Sequence, residues 1–337
     1  MKRWVIRIAS ALVVLIALVI VTGSAYEFLR RHQARQEFPP PGTLVDIGGR
    51  KIQLDCRGAG SPTVVFESGL DMDGSLSWSA VQGAVAKTTR ACSYSRAGIM
   101  WSDTPGRAQT GKTIAEDLHN TLGAAGEHGP FVLVGHSLGG PYIMTYTKYY
   151  GQDVAGLVFV DASHPEQVQR LKGVEPVPDE FPFKLAASLA WTGGLRPFAT
   201  AFIPQEQNQS LRDAQMVRAY GPTSLGPMLV EYDAINETLA DAGTFRRLGN
   251  RPLFVLTAMA PLSEEELQEM KISAAQGNRI RAVWKQMQDD EATWSSRSQH
   301  QLVYDSSHYI QFYRPDLVIN AVLSVVDTVR GDAAHQS

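Results

Sequence analysis

An excess of charge of one sign is missing from this sequence: 31 Lys and Arg are set against 34 Asp and Glu, a net charge of −3. No basic face is available to neutralise phosphates, so no nucleic-acid partner is expected. Cysteine is nearly missing as well. Cys56 and Cys92 are the only two, an even pair that allows one disulfide in an oxidising compartment and also allows two buried thiols. No metal-ligand spacing and no phosphate-binding glycine loop occurs, so neither metal nor other cofactor is expected. Internal repeats are absent, and the one biased tract is Pro39-Pro40-Pro41-Gly42. The balance of 44% hydrophobic to 19% charged residues is that of a globular chain. At 337 residues it suffices for one large core with an insertion, or for two ordinary domains.

One long apolar run is present. Lys2, Arg3 and Arg7 precede an uncharged stretch over residues 8–25. Eighteen helical residues span roughly 27 Å, close to the hydrocarbon thickness of a bilayer. A cleaved signal peptide would use Gly23-Ser24-Ala25 as its small-residue exit. An uncleaved anchor would keep the whole run, whose length favours the anchor. A buried core helix would need a polar face, and the run has none. Either main reading engages a membrane through residues 8–25. Arg30, Arg31 and Arg35 follow the run, so flanking charge does not fix its orientation.

Residues 26–42 read as a linker ending in the stiff proline spacer, and the folded part begins near Thr43. From there short apolar runs alternate with longer helical ones. Thr43–Ile47 and Lys51–Cys56 flank Gly48-Gly49 as a hairpin. Strands are expected at Thr63–Phe66, Arg90–Ser95, Phe131–Val134, Val154–Val160, Pro252–Thr257 and Gln301–Tyr304. Helices are expected at Thr113–Ala125, from about Leu138 to Tyr149, and at Leu262–Gln288 and Asp316–Val329. This alternation implies an α/β fold with a mostly parallel sheet covered on both faces. Residues 165–249 break the rhythm and read as an inserted helical cap, leaving 43–164 and 250–330 as the core.

The chemistry is concentrated in Gly135-His136-Ser137-Leu138-Gly139. An apolar strand runs into Gly-x-Ser-x-Gly and a helical pattern follows. A serine on such a sharp turn projects its hydroxyl from the sheet edge, and the flanking glycines admit the turn without Cβ clashes. The following helix aims backbone N–H groups at a developing oxyanion. Ser137 is the expected nucleophile.

Several segments, in order, resemble the α/β-hydrolase superfamily over nearly all of residues 43–330. The Gly135–Gly140 stretch resembles its nucleophile elbow, and Ser68-Gly69-Leu70 stands where many members carry His-Gly-x. Tyr94-Ser95-Arg96-Ala97-Gly98 resembles Tyr-Asp-Arg-x-Gly, and Ser307-His308-Tyr309 resembles the catalytic-histidine loop. The resemblance implies an eight-stranded sheet with the cap inserted after the sixth strand, and His308 as general base. His136 is read as a packing residue and His164 as a possible lining of the pocket. The third member departs from the commonest pattern. The loop Thr257-Ala258-Met259-Ala260-Pro261, where the acid often lies, holds no carboxylate before Glu264. Some relatives place the acid directly after the sixth strand, which here is Asp161, the favoured acid; Glu264, Glu265 and Glu266 are the alternative. The resemblance also implies an oxyanion hole from the backbone N–H groups of Leu138 and Leu70. It sets Cys56 beside Cys92 on neighbouring strands, which would suit an exported catalytic domain.

A serine nucleophile excludes the aspartate-based mechanisms of relatives and leaves acyl transfer. Cleavage of a carboxylic ester by an esterase or lipase-like enzyme is the expected activity. Peptidase, thioesterase or acyltransferase chemistry fits the same residues, and a non-catalytic ligand-binding protein is the alternative of another class. The expected substrate is a small or lipid-like acyl compound. In the cap, Phe181, Phe183, Leu185, Leu189, Trp191, Phe198, Phe202 and Ile203 are expected to pack on the core; lining an acyl pocket or touching lipid are the other readings.

Overall fold

The structure is a computed structural model and describes residues 2–177 and 179–335. The chain opens with helix α1 (Lys2–Glu37), followed by β1 (Thr43–Asp46), β2 (Lys51–Arg57) and β3 (Thr63–Glu67). Then come α2 (Ser79–Val85), β4 (Ala91–Ser95), α3 (Gly111–Ala124), β5 (Phe131–His136), α4 (Gly139–Tyr150) and β6 (Val154–Val160). The cap region follows with α5 (Gln167–Arg170), α6 (Phe181–Leu189), α7 (Ala199–Phe202), α8 (Leu211–Asp233) and α9 (Ile235–Gly243). The chain returns through β7 (Leu253–Ala258), α10 (Glu264–Glu269), α11 (Ala274–Glu291), β8 (Ser298–Val303), α12 (Ile310–Tyr313) and α13 (Pro315–Ala334).

The eight strands form one sheet in the order β1-β2-β4-β3-β5-β6-β7-β8. Only β2 runs against its neighbours, β1 and β4; the other pairings are parallel. The middle strands are buried on both faces, which is why β3, β5 and β6 read as unbroken apolar runs. Alternate residues feed two core layers. Val65, Leu133, Leu157 and Val255 pack with Leu118 and Leu122 of α3 and Ile143 and Met144 of α4. Val64, Val132, Val158 and Leu256 pack with Val81 and Val85 of α2 and Val318, Val322 and Val325 of α13. Cys56 and Cys92 are partners across β2 and β4 and are joined by a disulfide. The entropic model for a loop of this length gives about 3–4 kcal/mol of stabilisation.

Three sequence expectations need correction. The stretch from Tyr26 to Glu37, read as linker, continues α1. Glu27 and Ala34 are buried there, and Phe38 just beyond is buried too, because the cap packs against them; contacts this distant in sequence leave no local periodicity. The single helix expected over Leu262–Gln288 is two. Lys271 has a left-handed φ of 53°, and Ser273 starts a new helix with a capping box closed by Gln276. Strand β8 begins three residues earlier than its apolar run. It is an edge strand whose half-exposed Ser298–His300 is held by its ladder with β7.

Candidate active site

The residues expected to carry the chemistry lie at the carboxyl edge of the sheet, where β5, β6 and β7 end. Ser137 follows β5 with φ +52°, and Asp161 follows β6 with φ +44°. Among the described residues, two of the five non-glycine residues with positive φ are thus members of the expected site. Such backbone costs roughly 1–3 kcal/mol per residue and persists where surrounding structure holds it. Here the hold is visible. The Ser137 N–H donates to the Val160 carbonyl at 3.2 Å, and the Ser137 carbonyl accepts from Ser163 N at 2.8 Å and Gly140 N at 2.9 Å. The glycines matter at close approaches: a Cβ on Gly135 would lie 2.5 Å from the Gly139 carbonyl oxygen, and one on Gly140 would lie 2.6 Å from the Ala162 Cβ. Ser137 is part-exposed between buried neighbours.

His308 lies in the loop after β8, its side chain 35% exposed. Its Nδ1 is 2.6 Å from Asp161 Oδ2. Asp161 is fully buried, and its other oxygen accepts from the Ala258 N–H and the Trp284 Nε1–H, each at 2.9 Å. Among the described residues, none of the alternative acids pairs with His308. Glu264 and Glu265 are exposed on the first turn of α10, and Glu266 closes a capping box with Ser263.

His136 does more than pack. Its ring lies 4.6 Å from that of His308, and its Nε2–H donates to the His308 carbonyl at 3.1 Å, pinning the loop. Burial, then the neighbouring His308, holds its pKa well below the ordinary histidine value, so the ring stays neutral. His164 is fully buried, with Nε2 2.9 Å from Asp290 Oδ2 and Nδ1 accepting from the Glu166 N–H, so both ring nitrogens are committed there and the ring does not take its expected place in a pocket.

The loop Ser68-Gly69-Leu70 closes the other side. A Cβ on Gly69 would lie 3.0 Å from Ser137 Cβ, so the loop runs directly beside the serine. Among the described residues, the N–H groups of Leu70 and Leu138 donate to no backbone carbonyl. Arg96 fixes the loop from beneath. Its guanidinium donates to the Ser68 carbonyl at 2.8 Å and the Gly69 carbonyl at 2.6 Å. The same group pairs with Glu67 at 2.7 Å and with Glu231 of α8 at 2.8 Å, all three buried. Tyr94 Oη donates to Glu67 as well. Burial pushes Glu67 up to about 7 even with Arg96 beside it. Burial alone would lower the Arg96 pKa, and the carboxylates of Glu231 and Glu67 reverse that. Nothing in the Tyr-Ser-Arg-x-Gly stretch alone announces this clamp, because Glu231 lies 135 residues away. Replacing Arg96 with methionine strands two buried carboxylates and is expected to cost about 3–5 kcal/mol of stability. Thermal unfolding of the two proteins in the same detergent checks this, and equal melting temperatures would contradict it.

Glu291, at the end of α11, is a second group that sequence patterning misses. It is fully buried, and neither carboxyl oxygen has a hydrogen-bond partner among the described residues. Burial, then Asp161 and Asp290 nearby, raises its pKa well above the usual carboxylate range. Folding therefore favours the neutral acid. With a folded-state pKa above the unfolded one, its contribution is complete below the unfolded value of about 4.3 and is lost as pH rises from there. Glutamine is neutral in both states. The stability of Glu291→Gln relative to the parent should therefore grow between pH 5 and pH 8, by up to about 1.4 kcal/mol per pH unit. Melting curves of both proteins across that range test this; a pH-independent difference would refute it.

A profile of the alpha/beta hydrolase family matches residues 55–321, most of the chain. The protein belongs to the alpha/beta hydrolase family. Among solved structures, the fold is similar to that of a thermophilic esterase from Thermogutta terrifontis, with a TM-score of 0.58 and 16% identity, covering 85% of this chain and 97% of that one. It is also similar to a "probable hydrolytic enzyme" from Pseudomonas aeruginosa PAO1, with a TM-score of 0.63 and 17% identity, covering 86% and 95%. At such identities the likeness concerns the fold. Among curated proteins, the "Probable transporter efuK" of Hormonema carpetanum is 34% identical over 143 residues, 40% of this chain and 20% of that protein. The "Uncharacterized protein YbdG" of Bacillus subtilis (strain 168) is 24% identical over 168 residues, 49% and 52% respectively. The matched stretches thus span about half or less of those relatives.

A cavity of about 730 Å³ lies between α1, the Gly98–Thr104 loop and the cap, lined by Ala34, Met100, Trp101, Trp191 and Tyr220. It includes neither Ser137 nor His308.

Proposed function

We propose that the protein is a membrane-anchored serine hydrolase that cleaves a carboxylic ester, with Ser137 as nucleophile, His308 as base and Asp161 as its partner acid. The observation that carries this is the 2.6 Å pairing of His308 Nδ1 with the buried Asp161 carboxylate at the sheet edge that also carries the strained Ser137. With Nδ1 committed to Asp161, Nε2 is the nitrogen that exchanges protons. In the proposed reaction Ser137 Oγ attacks the ester carbonyl carbon and His308 Nε2 takes its proton. The negative charge moves to the carbonyl oxygen, where the N–H groups of Leu138 and Leu70 receive it; one such donor is typically worth about 3 kcal/mol. The imidazolium, stabilised by Asp161, then protonates the departing alcohol as the C–O bond breaks, leaving an acyl group on Ser137. Water, deprotonated by His308, attacks that acyl carbon and releases the acid, and the proton returns to Ser137.

The uncleaved reading of residues 8–25 and the Cys56–Cys92 bridge support a catalytic domain held at a membrane on its oxidising side. Hydrolysis of p-nitrophenyl esters of graded chain length by the full chain, with Ser137→Ala as control, tests the proposal. Serine-dependent release of p-nitrophenol supports it. Turnover confined to aminoacyl amides would replace esterase by peptidase activity.

A further inference from the structure

Of the cap's large side chains, Ile203 packs against the cluster that holds Met100, Met216 and Tyr220, but most of the others do not pack on the core. Phe181, Phe183, Leu189, Trp191, Phe198 and Phe202 are between 46% and 74% exposed. This corrects the expectation of core packing, and an exposed apolar patch of this kind calls for a covering partner. Helix α1 indicates which. Its apolar portion is exposed up to Thr22, and its contact with the cap begins at Gly23, near the end of that run. A Cβ on Gly23 would lie 2.2 Å from the Thr192 carbonyl oxygen, and one on Gly193 would lie 2.8 Å from the Gly23 carbonyl oxygen. Four residues on, the buried Glu27 accepts from Arg196 Nε at 2.5 Å and Nη2 at 2.9 Å, while Arg196 Nη1 donates to the Ala219 carbonyl at 2.8 Å. The helix is thereby fixed to the cap without a flexible joint. Wherever the apolar run ends in a bilayer, residues 189–193 are held at that same level, with Trp191 at the boundary that tryptophan favours.

We propose that the apolar face of the cap, on α6, the Ala190–Thr192 turn and α7, is seated in the headgroup–acyl boundary of the bilayer that α1 crosses. A lipid surface is the occupant that the fixed helix places against this face. Seated there, the face loses its contact with water, and the cap, rather than the core, meets the membrane. An acyl substrate dissolved in the membrane would then reach the protein from the cap side. The inference rests on α1 being an uncleaved span, and the test separates the two.

The full chain, with Cys56–Cys92 bonded, receives one additional cysteine at Phe183, Phe202, Val13 or His128, carries a nitroxide there, and is reconstituted in palmitoyl-oleoyl-phosphatidylcholine vesicles. Collision rates with oxygen and with a water-soluble nickel chelate report depth. His128 is exposed in the loop before β5, at the opposite edge of the sheet, and serves as the aqueous reference. The expected result is an oxygen-to-nickel ratio several-fold above that of His128 at both Phe183 and Phe202, and higher still at Val13. Ratios at Phe183 and Phe202 equal to that of His128, with Val13 buried in lipid, would overturn the cap proposal and leave the span intact. A water-like ratio at Val13 would overturn the span and the proposal with it. Low collision rates with both reagents, together with spin–spin broadening, would show a second copy of the chain on this face and overturn the proposal too.

Discussion

Asp161→Asn is expected to lower kcat by roughly 10⁴-fold while leaving the fold in place. The direction follows from which atoms the carboxylate engages. Its Oδ1 accepts from two donors, the Ala258 N–H and the Trp284 Nε1–H, and its Oδ2 faces His308 Nδ1. In asparagine only one terminal atom accepts, and the two donors claim it. The amide NH₂ is then turned towards His308, so Nδ1 must accept and the proton moves to Nε2. An imidazole protonated at Nε2 cannot take the proton of Ser137. The side chain remains isosteric and buried, so melting temperature should change far less than turnover. The KM for a p-nitrophenyl ester should also stay near the parent value. Near-parental kcat in a folded Asp161→Asn protein would remove Asp161 from the mechanism, and a comparable loss in Glu264→Gln would move the role to α10. Trp284→Phe removes one of the two donors and is expected to reduce kcat far less than Asp161→Asn.

Ser137→Ala should have the largest effect, a loss of kcat of roughly 10⁶-fold. No other hydroxyl in this arrangement takes over the attack, and acyl transfer without an acyl-enzyme has no route through these residues. Alanine adopts the same left-handed backbone at a cost similar to serine's, so the turn held by the Val160 carbonyl and Ser163 N should persist. Steady-state turnover with the parent and variant purified side by side would show the difference. A variant retaining a tenth or more of the parental rate would mean that hydrolysis proceeds elsewhere on the protein.

Much of this arrangement was legible before the fold was known, for physical reasons. Strands buried on both faces leave unbroken apolar runs, and helices leave a stripe, so β3, β5, β6, α3 and α13 announce themselves. Gly135, Ser137 and Gly139 are visible because a strand-to-helix turn of that sharpness needs those residue types. Asp161 could be favoured because it ends a strand adjacent to the one that delivers Ser137.

The rest depends on contacts between distant segments. Trp284 reaches Asp161 across 123 residues, and Glu231 reaches Arg96 across 135. No spacing rule connects either pair. Continuation of α1 past Tyr26 rests on Glu27 meeting Arg196, again a distant partner. The cap's aromatic residues read as core because apolar composition alone does not tell a covered side chain from an exposed one, and Phe181, Phe183, Trp191, Phe198 and Phe202 are exposed. His136 reads as packing in the sequence because its hydrogen bond runs to a backbone carbonyl, which side-chain patterning does not reveal.

The most direct measurement is covalent. The full chain in detergent is treated with a fluorophosphonate, which phosphonylates a serine only when a neighbouring base has activated it, and the modified residue is located by peptide mass spectrometry. A single adduct on Ser137, absent from Ser137→Ala and formed far more slowly in Asp161→Asn, is the expected result. A folded protein that remains unmodified, or one labelled at a different serine, would contradict the assignment of Ser137 and His308 as the reacting pair.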